Sequence, residues 1–261
     1  MEYDPIKDRL ATLIDLFPAL RKCMYKALDM MLLRQRYVKR EILANFRPKE
    51  SFRFYDAGAG FCQYSWFVLQ HWPNAKVFAT DLKTDYLKSF SAFTNREAPD
   101  RFSYQSADLQ HFTPSNSYQL CIAIDILEHI EDDQTTLKNF HQALAPEGIL
   151  IISTPSDTDE AAKFTAEHVR PGYAKADLEE KLHKAGFELV KSIYTYGKFG
   201  SLAWRLMMKY PLQIAGKKLL PLLLPYYLLV YPVAELLMQL DLRMPNPEGT
   251  GILVVAQKPR A

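Results

Sequence analysis

The sequence predicts an α/β fold: a doubly wound, mostly parallel sheet with a helical extension at the N-terminus and a helical insertion before the last strand. Three observations predict it. Short β-rich runs alternate with stretches of helical periodicity from Phe52 to Tyr194, the pattern of βαβ crossovers. Ahead of Arg47-Pro48 only helical spacing occurs. A last apolar run, Gly251–Gln257, follows the preceding one by about fifty residues, too long for an ordinary connection.

Each element has its own signal. From Ile6 to Phe46 apolar residues recur at helical spacing (Leu10, Leu13, Ile14, Phe17, Leu20, then Met24, Leu28, Met31, Leu32), and Pro18 is expected to divide the run into two helices. Strands are expected over Phe52–Asp56, Lys76–Asp81, Phe102–Ser106, Leu120–Asp125, Ile149–Thr154 and Phe187–Tyr194, bounded by Gly, Pro, Asp and Asn. Helical patterns at Gln63–His71, Asp85–Asn95, Asp133–Ala143 and Ala176–Ala185 lie between them. This divides the chain into an extension or lid (1–49), a ligand-binding α/β domain (50–197 with 251–261) and an apolar helical insertion (198–250).

Composition narrows the class. With 48% hydrophobic and 24% charged residues the chain is globular, which excludes global disorder, collagen and coiled coil. Three cysteines, at 23, 62 and 121, are too few and too scattered for a disulfide framework or a zinc site, and fit a reducing, cytoplasmic setting. The net charge of +2 divides into +4 over residues 1–50, −7 over 51–197 and +5 over 198–261. The acidic centre argues against a nucleic-acid partner, because it would repel phosphates. The opening Met1-Glu-Tyr-Asp, with Asp8 and Asp15 interrupting the apolar positions, does not read as a signal peptide. Leu219 to Ala234 is uncharged but contains Pro221, Pro225 and Pro232, which weigh against a spanning helix. It reads as a surface-seeking or cavity-forming segment.

Four strand ends carry the chemistry. Asp56-Ala-Gly58-Ala-Gly60-Phe-Cys62 joins the first strand to a helix at Gln63, where glycines let backbone approach a nucleotide-like ligand and the helix start offers unpaired N–H groups. Asp81 ends the second strand 21 residues after Gly60, where an acid can accept both ribose hydroxyls. Asp108-Leu109 follows the third strand and suits an adenine amino group and ring face. Asp125-Ile-Leu-Glu128-His129 ends the fourth in an acidic, histidine-containing turn.

In order and spacing these four resemble the class I S-adenosylmethionine-dependent methyltransferases. The Asp125-Ile-Leu-Glu128-His129 wording, followed by Leu144-Ala-Pro-Glu-Gly148-Ile-Leu-Ile-Ile-Ser-Thr, is similar to the small-molecule and lipid branch that includes ubiquinone-type O-methyltransferases. The resemblance covers about residues 50–197 and the last strand. It implies a Rossmann-like sheet of seven strands, the last antiparallel and beside the fifth. S-adenosylmethionine is the implied cofactor: Asp56, Gly58 and Gly60 at its methionine part, Asp81 on the ribose, Asp108 and Leu109 at adenine, Asp125 at the methionine end facing the acceptor, with Ala57 and Leu82 also in contact. The third glycine of the turn is Cys62 here.

Methyl transfer from a sulfonium is an in-line displacement in which positioning supplies much of the rate and a base serves hydroxyl or amine acceptors. His129 is the leading base candidate, with Asp125 beside it. In the ubiquinone-type relatives an acidic-x-x-Glu-His set is linked to a divalent metal, and Asp125, Glu128 and His129 match it as ligands for Mg²⁺ or Zn²⁺. Helix capping favours the same residues, so no metal is expected. Glu167-His168-Val-Arg170-Pro-Gly-Tyr173 matches a stretch that related enzymes carry between the fifth strand and last helix. His168 is taken as a further catalytic residue there, and Arg170 as an ion-paired connector.

Leu202, Trp204, Leu206, Met207, Met208 and Tyr210 would line a greasy acceptor pocket, or lie at a bilayer with Lys209, Lys217 and Lys218 at the headgroups. The expected acceptor is therefore a hydrophobic, lipid-like or aromatic small molecule, with peripheral membrane contact through 198–243 on the inner face. An NAD-dependent reductase would share the glycine turn and Asp81 but not need Asp108-Leu109. A non-catalytic membrane protein on the same fold would not need Asp56, Gly58, Gly60, Asp81 and Asp108 together.

Overall fold

The structure, a computed structural model, describes residues 18–158, 168–211 and 223–260. Helices α1 (Pro18–Met31) and α2 (Leu33–Asn45) lead into strand β1 (Arg53–Ala57), followed by α3 (Gln63–His71), β2 (Lys76–Asp81), α4 (Thr84–Glu97), β3 (Phe102–Ser106) and β4 (Tyr118–Ile124). A 3-10 turn (Leu127–His129), α5 (Asp133–Ala143), β5 (Leu144–Pro155), α6 (Lys175–Lys184) and β6 (Glu188–Thr195) complete the alternating part. Then come α7 (Lys198–Trp204), a π-helical turn (Arg205–Lys209), α8 (Leu223–Arg243) and β7 (Gly251–Gln257).

The strands form one seven-stranded sheet in the order β3-β2-β1-β4-β5-β7-β6. All neighbours run parallel except β7, which lies antiparallel between β5 and β6. The strand order reverses between β1 and β4, so the crevice outside their carboxyl ends is where an open α/β sheet takes its ligand. Alternate residues of β1 feed opposite faces: Phe54 packs with α2, α3, α4, α7 and α8, and Tyr55 with α5 and α6. Helices thus cover both faces, as a parallel sheet requires.

Local chemistry fixes the ends. Asp132 caps α5 by accepting from Thr135 N at 2.9 Å. Gly186, at φ 94°, ends α6 where a left-handed residue is needed. In the extension the described break falls at Leu32, extended at φ −109° and ψ 106° with no proline or glycine nearby. Residues before the expected break at Pro18 lie outside the described residues, as do Glu167, Lys217 and Lys218.

The insertion packs on the extension. Arg36 donates to both Glu235 oxygens at 2.7 and 2.6 Å, Arg40 donates to Leu242 O at 2.6 Å, and Tyr37 donates to Asp241 Oδ2 at 2.9 Å. Asp241 is fully buried and also accepts from Gly200 N at 2.8 Å. The prolines do not break α8: Pro225 sits in its first turn, and the helix runs 21 residues through Pro232. By length and composition alone α8 could cross a membrane. Its inner side meets the core through Ala234 and Met238, while Leu224, Leu228, Leu229, Val233 and Leu236 are exposed.

Candidate active site

The turn after β1 is built by the next helix and the next strand. Asp56, 2% exposed, accepts from Ser65 N and Oγ of α3 at 3.2 and 2.6 Å, and burial pushes its carboxyl up to about 7. Gly58 (φ 73°) and Ala59 donate to Thr80 O at 2.8 and 2.9 Å, tying the turn to β2. Gly60 (φ 50°) donates to Asp81 Oδ2 at 2.8 Å, and the other Asp81 oxygen accepts from Lys83 N at 2.8 Å. Asp81 is therefore aimed at the turn by two backbone amides. A Cβ on Gly58 would lie 2.7 Å from Ile126 Cγ1, whereas one on Gly60 would meet nothing within 4 Å, so the turn is open on its outer side.

Cys62 stands where a third glycine is common and takes the left-handed conformation such a glycine would adopt (φ 58°), with its side chain fully buried. Ala57 is buried and Leu82 is 57% exposed. Asp108 is half-buried and accepts from Gln110 N at 2.9 Å, while Leu109 packs into the core on the α5 side.

After β4 the chain turns on Asp125, at φ 49°, whose N donates to Ser153 O at 2.8 Å. Its carboxylate is ion-paired with Arg34 of α2. Glu128, 1% exposed, accepts from Thr154 Oγ1 at 3.2 Å, and burial raises its pKa. The His129 and His168 rings meet edge to face with centroids 4.5 Å apart. Glu128, His129 and His168 bring ligand-type atoms within 4.8 Å of one another. Metal-ligating chemistry is thus present in Glu128 and His129, but Asp125 faces Arg34 and His168 takes the third place. Arg170 donates to Asp133 Oδ2 at 2.8 Å, Leu127 O at 3.0 Å and Glu131 O at 3.0 Å, which makes it a connector. Tyr173, 4% exposed, donates to the same Asp133 oxygen at 2.7 Å.

A cavity of about 520 Å³ opens beside Asp125, at the carboxyl ends of β4, β5 and β6 and the start of β7. Leu32 and Arg34 line it from the extension; Ser201, Trp204, Arg205 and Lys209 line it from the insertion. His129 and His168 are not among its lining residues. Arg34, Arg205 and the cavity-facing position of Lys209 were not legible in the sequence, because residues far apart in the chain meet there. The spacing of Arg205 and Lys209, four apart in a helical stretch, was the one available signal.

Residues 55–150 match the family model described as a methyltransferase domain. The chain is 26% identical over 121 residues to the trans-aconitate 2-methyltransferase of Azoarcus sp. strain BH72, covering 46% of each chain. It thus spans about half the length of the curated relatives it matches. A putative sarcosine dimethylglycine methyltransferase from Galdieria sulphuraria superposes with a TM-score of 0.59 at 12% identity, over 89% of this chain and 85% of that one. Haemonchus contortus phosphoethanolamine N-methyltransferase 2, solved with S-adenosyl-L-methionine, gives 0.59 at 19% identity, over 84% and 52%. With its glycine turn, strand-end acids and antiparallel seventh strand, the chain carries a methyltransferase domain over residues 55–150 and the Rossmann-like fold of S-adenosylmethionine-dependent methyltransferases.

Proposed function

We propose that the chain transfers a methyl group from S-adenosylmethionine to a small-molecule acceptor held in the 520 Å³ cavity. The observation that carries this is a shared wall. Ile126 lies against Gly58 of the cofactor turn, and the adjacent Asp125 lines the cavity, so the two sites meet at one residue pair. The cofactor supplies an activated methyl. The chain's part is to position it: Gly60 N and Lys83 N aim Asp81 at the ribose, Asp56 braces the turn through Ser65, and Asp125 marks the reacting end. His129 and His168, off the cavity lining, then hold the Asp125–Glu128 turn as positioning residues, and no metal enters the reading.

Calorimetric titration with S-adenosylmethionine and transfer of labelled methyl to trans-aconitate, the acceptor named for the Azoarcus relative, test it. Saturable binding and a labelled product are expected; no heat from folded protein would refute the reading. The lipid-like acceptor and membrane contact rest on one observation, the exposed apolar face of α8 from Leu224 to Leu236. Co-sedimentation with anionic vesicles tests that part: glutamates at Leu224, Leu228 and Val233 should abolish it, and equal partitioning would dismiss it.

A further inference from the structure

The outer face of the insertion and the mouth of the cavity form one surface. Tyr226 Oη donates to Leu206 O at 2.7 Å and Tyr227 Oη to Met207 O at 3.1 Å, which fastens the start of α8 to the π-helical turn Arg205–Lys209. Trp204, Arg205 and Lys209 of that same stretch line the cavity. Outward from it, Leu224, Leu228, Leu229, Val233 and Leu236 are each at least 54% exposed. At helical spacing they make one apolar stripe, about 18 Å long at 1.5 Å per residue. The opposite side of α8 is held down, by Ala234 and Met238 in the core and by Glu235 and Asp241 on Arg36 and Tyr37 of α2. Crossing a bilayer would forfeit those contacts, so α8 is presented lengthwise. Of the charged side chains that the described part of the insertion exposes, Lys198, Arg205, Lys209 and Arg243 are cationic and Glu248 is acidic. Arg205 and Lys209 stand by the start of the stripe and Arg243 ends the helix, so cations bracket it. An anionic bilayer matches this pattern, its acyl region taking the leucines and its phosphates the guanidinium and ammonium groups. A second copy matches it poorly: two-fold pairing of α8 helices, antiparallel or parallel, sets these cations against one another.

We propose that the insertion seats the protein on an anionic membrane with the cavity mouth turned into the headgroup layer, so that the acceptor enters from the bilayer. The stripe of α8 lies among the acyl chains, and Arg205 and Lys209 bind lipid phosphates at the mouth. Trp204 then stands between membrane and cavity, at the depth that amphipathic rings favour. Membrane contact through α8 thereby acquires an orientation, and the acceptor is an amphiphile that reaches the cavity without crossing water. What the cavity does with it rests on the methyl-transfer reading above; the seating itself does not.

The test reads orientation by fluorescence, since the chain's three tryptophans are unequally placed: Trp66 and Trp72 are buried in the core and Trp204 lines the mouth. The full chain is mixed with vesicles of phosphatidylcholine alone, or of phosphatidylcholine and phosphatidylglycerol in equal parts, brominated at the upper acyl carbons. Binding to the anionic vesicles is expected, with quenching that disappears in Trp204→Phe. Arg205→Gln and Lys209→Gln should each weaken partitioning about fivefold. Leu228→Glu combined with Val233→Glu, both facing outward, should abolish it in protein that still melts cooperatively. Binding with quenching unchanged in Trp204→Phe would overturn the orientation, and equal partitioning to neutral vesicles would overturn the part given to the cations. No vesicle binding, or dimers in ultracentrifugation that the glutamates dissolve, would overturn the seating altogether. Each of these results leaves cofactor binding standing, whereas failure to bind S-adenosylmethionine would overturn the methyl-transfer reading and leave the seating.

Discussion

Replacing Gly60 by alanine separates the conformational from the ligand-facing role of the β1 turn. The new Cβ meets no atom within 4 Å, so its cost to folding is the left-handed backbone at φ 50°, about 1–2 kcal/mol. For 261 residues the unfolding entropy is about 0.55 kcal/mol per degree, which converts that cost to a Tm fall of about 2–4 °C. Gly58→Ala adds overlap with Ile126 at 2.7, 3.0 and 3.2 Å to a similar φ cost, for about 2–5 kcal/mol and about 4–9 °C. The cofactor should register the opposite order of specificity. Gly60→Ala fills the space the ligand needs while the fold persists, so affinity for S-adenosylmethionine should fall at least about tenfold in a protein that melts nearly as the wild type does. Calorimetric melting and titration on the same samples read both. Unchanged affinity in Gly60→Ala would refute the placement of the cofactor over this turn.

Further outcomes follow from charge and pH. Asp56 has a folded pKa of about 7, above its ordinary value because of burial, so the native state binds more protons than the unfolded chain between about pH 4 and 7. Stability contributed by this group is lost as pH rises through that window; Asp56→Asn should flatten urea-derived stability between pH 5 and 8, and an unaltered slope would contradict the assignment. Glu235 is held down to about 2 mainly by its hydrogen bonds from Arg36, so this pair stabilises the contact of α2 with α8 above about pH 4.5 and fades toward pH 2. A double-mutant cycle should give a coupling of about 1 kcal/mol at pH 7 that falls to a fraction of that at about pH 2.5. His129→Ala should leave cofactor affinity intact and slow transfer without altering its pH profile; loss of the fall in rate on the acid side would restore His129 as the general base.

The sheet and the glycine turn after β1 were legible because they obey local rules. Alternating residues such as Phe54 and Tyr55, glycines 58 and 60 at positive φ, and carboxylates at strand ends each declare themselves within a few residues. Resemblance supplied the antiparallel place of β7, which no local pattern carries. The acceptor side was far less legible, since Arg34, Arg205 and Lys209 converge through packing of α2 on the insertion. Apolar composition pointed to a greasy pocket or a bilayer face; of the residues named for it Trp204 lines the cavity, while the exposed leucines of α8 face outward. The break at Leu32 has no proline or glycine to announce it. Pro232 inside α8 shows the converse, with tertiary packing overriding a local breaker.

Titration of the folded chain with S-adenosylmethionine, and in parallel with NADH, tests the central claim most directly. The account predicts saturable one-site heat with the first, lost in Asp81→Ala, and none with the second. Heat from NADH, or none from S-adenosylmethionine in protein that melts cooperatively, would contradict it.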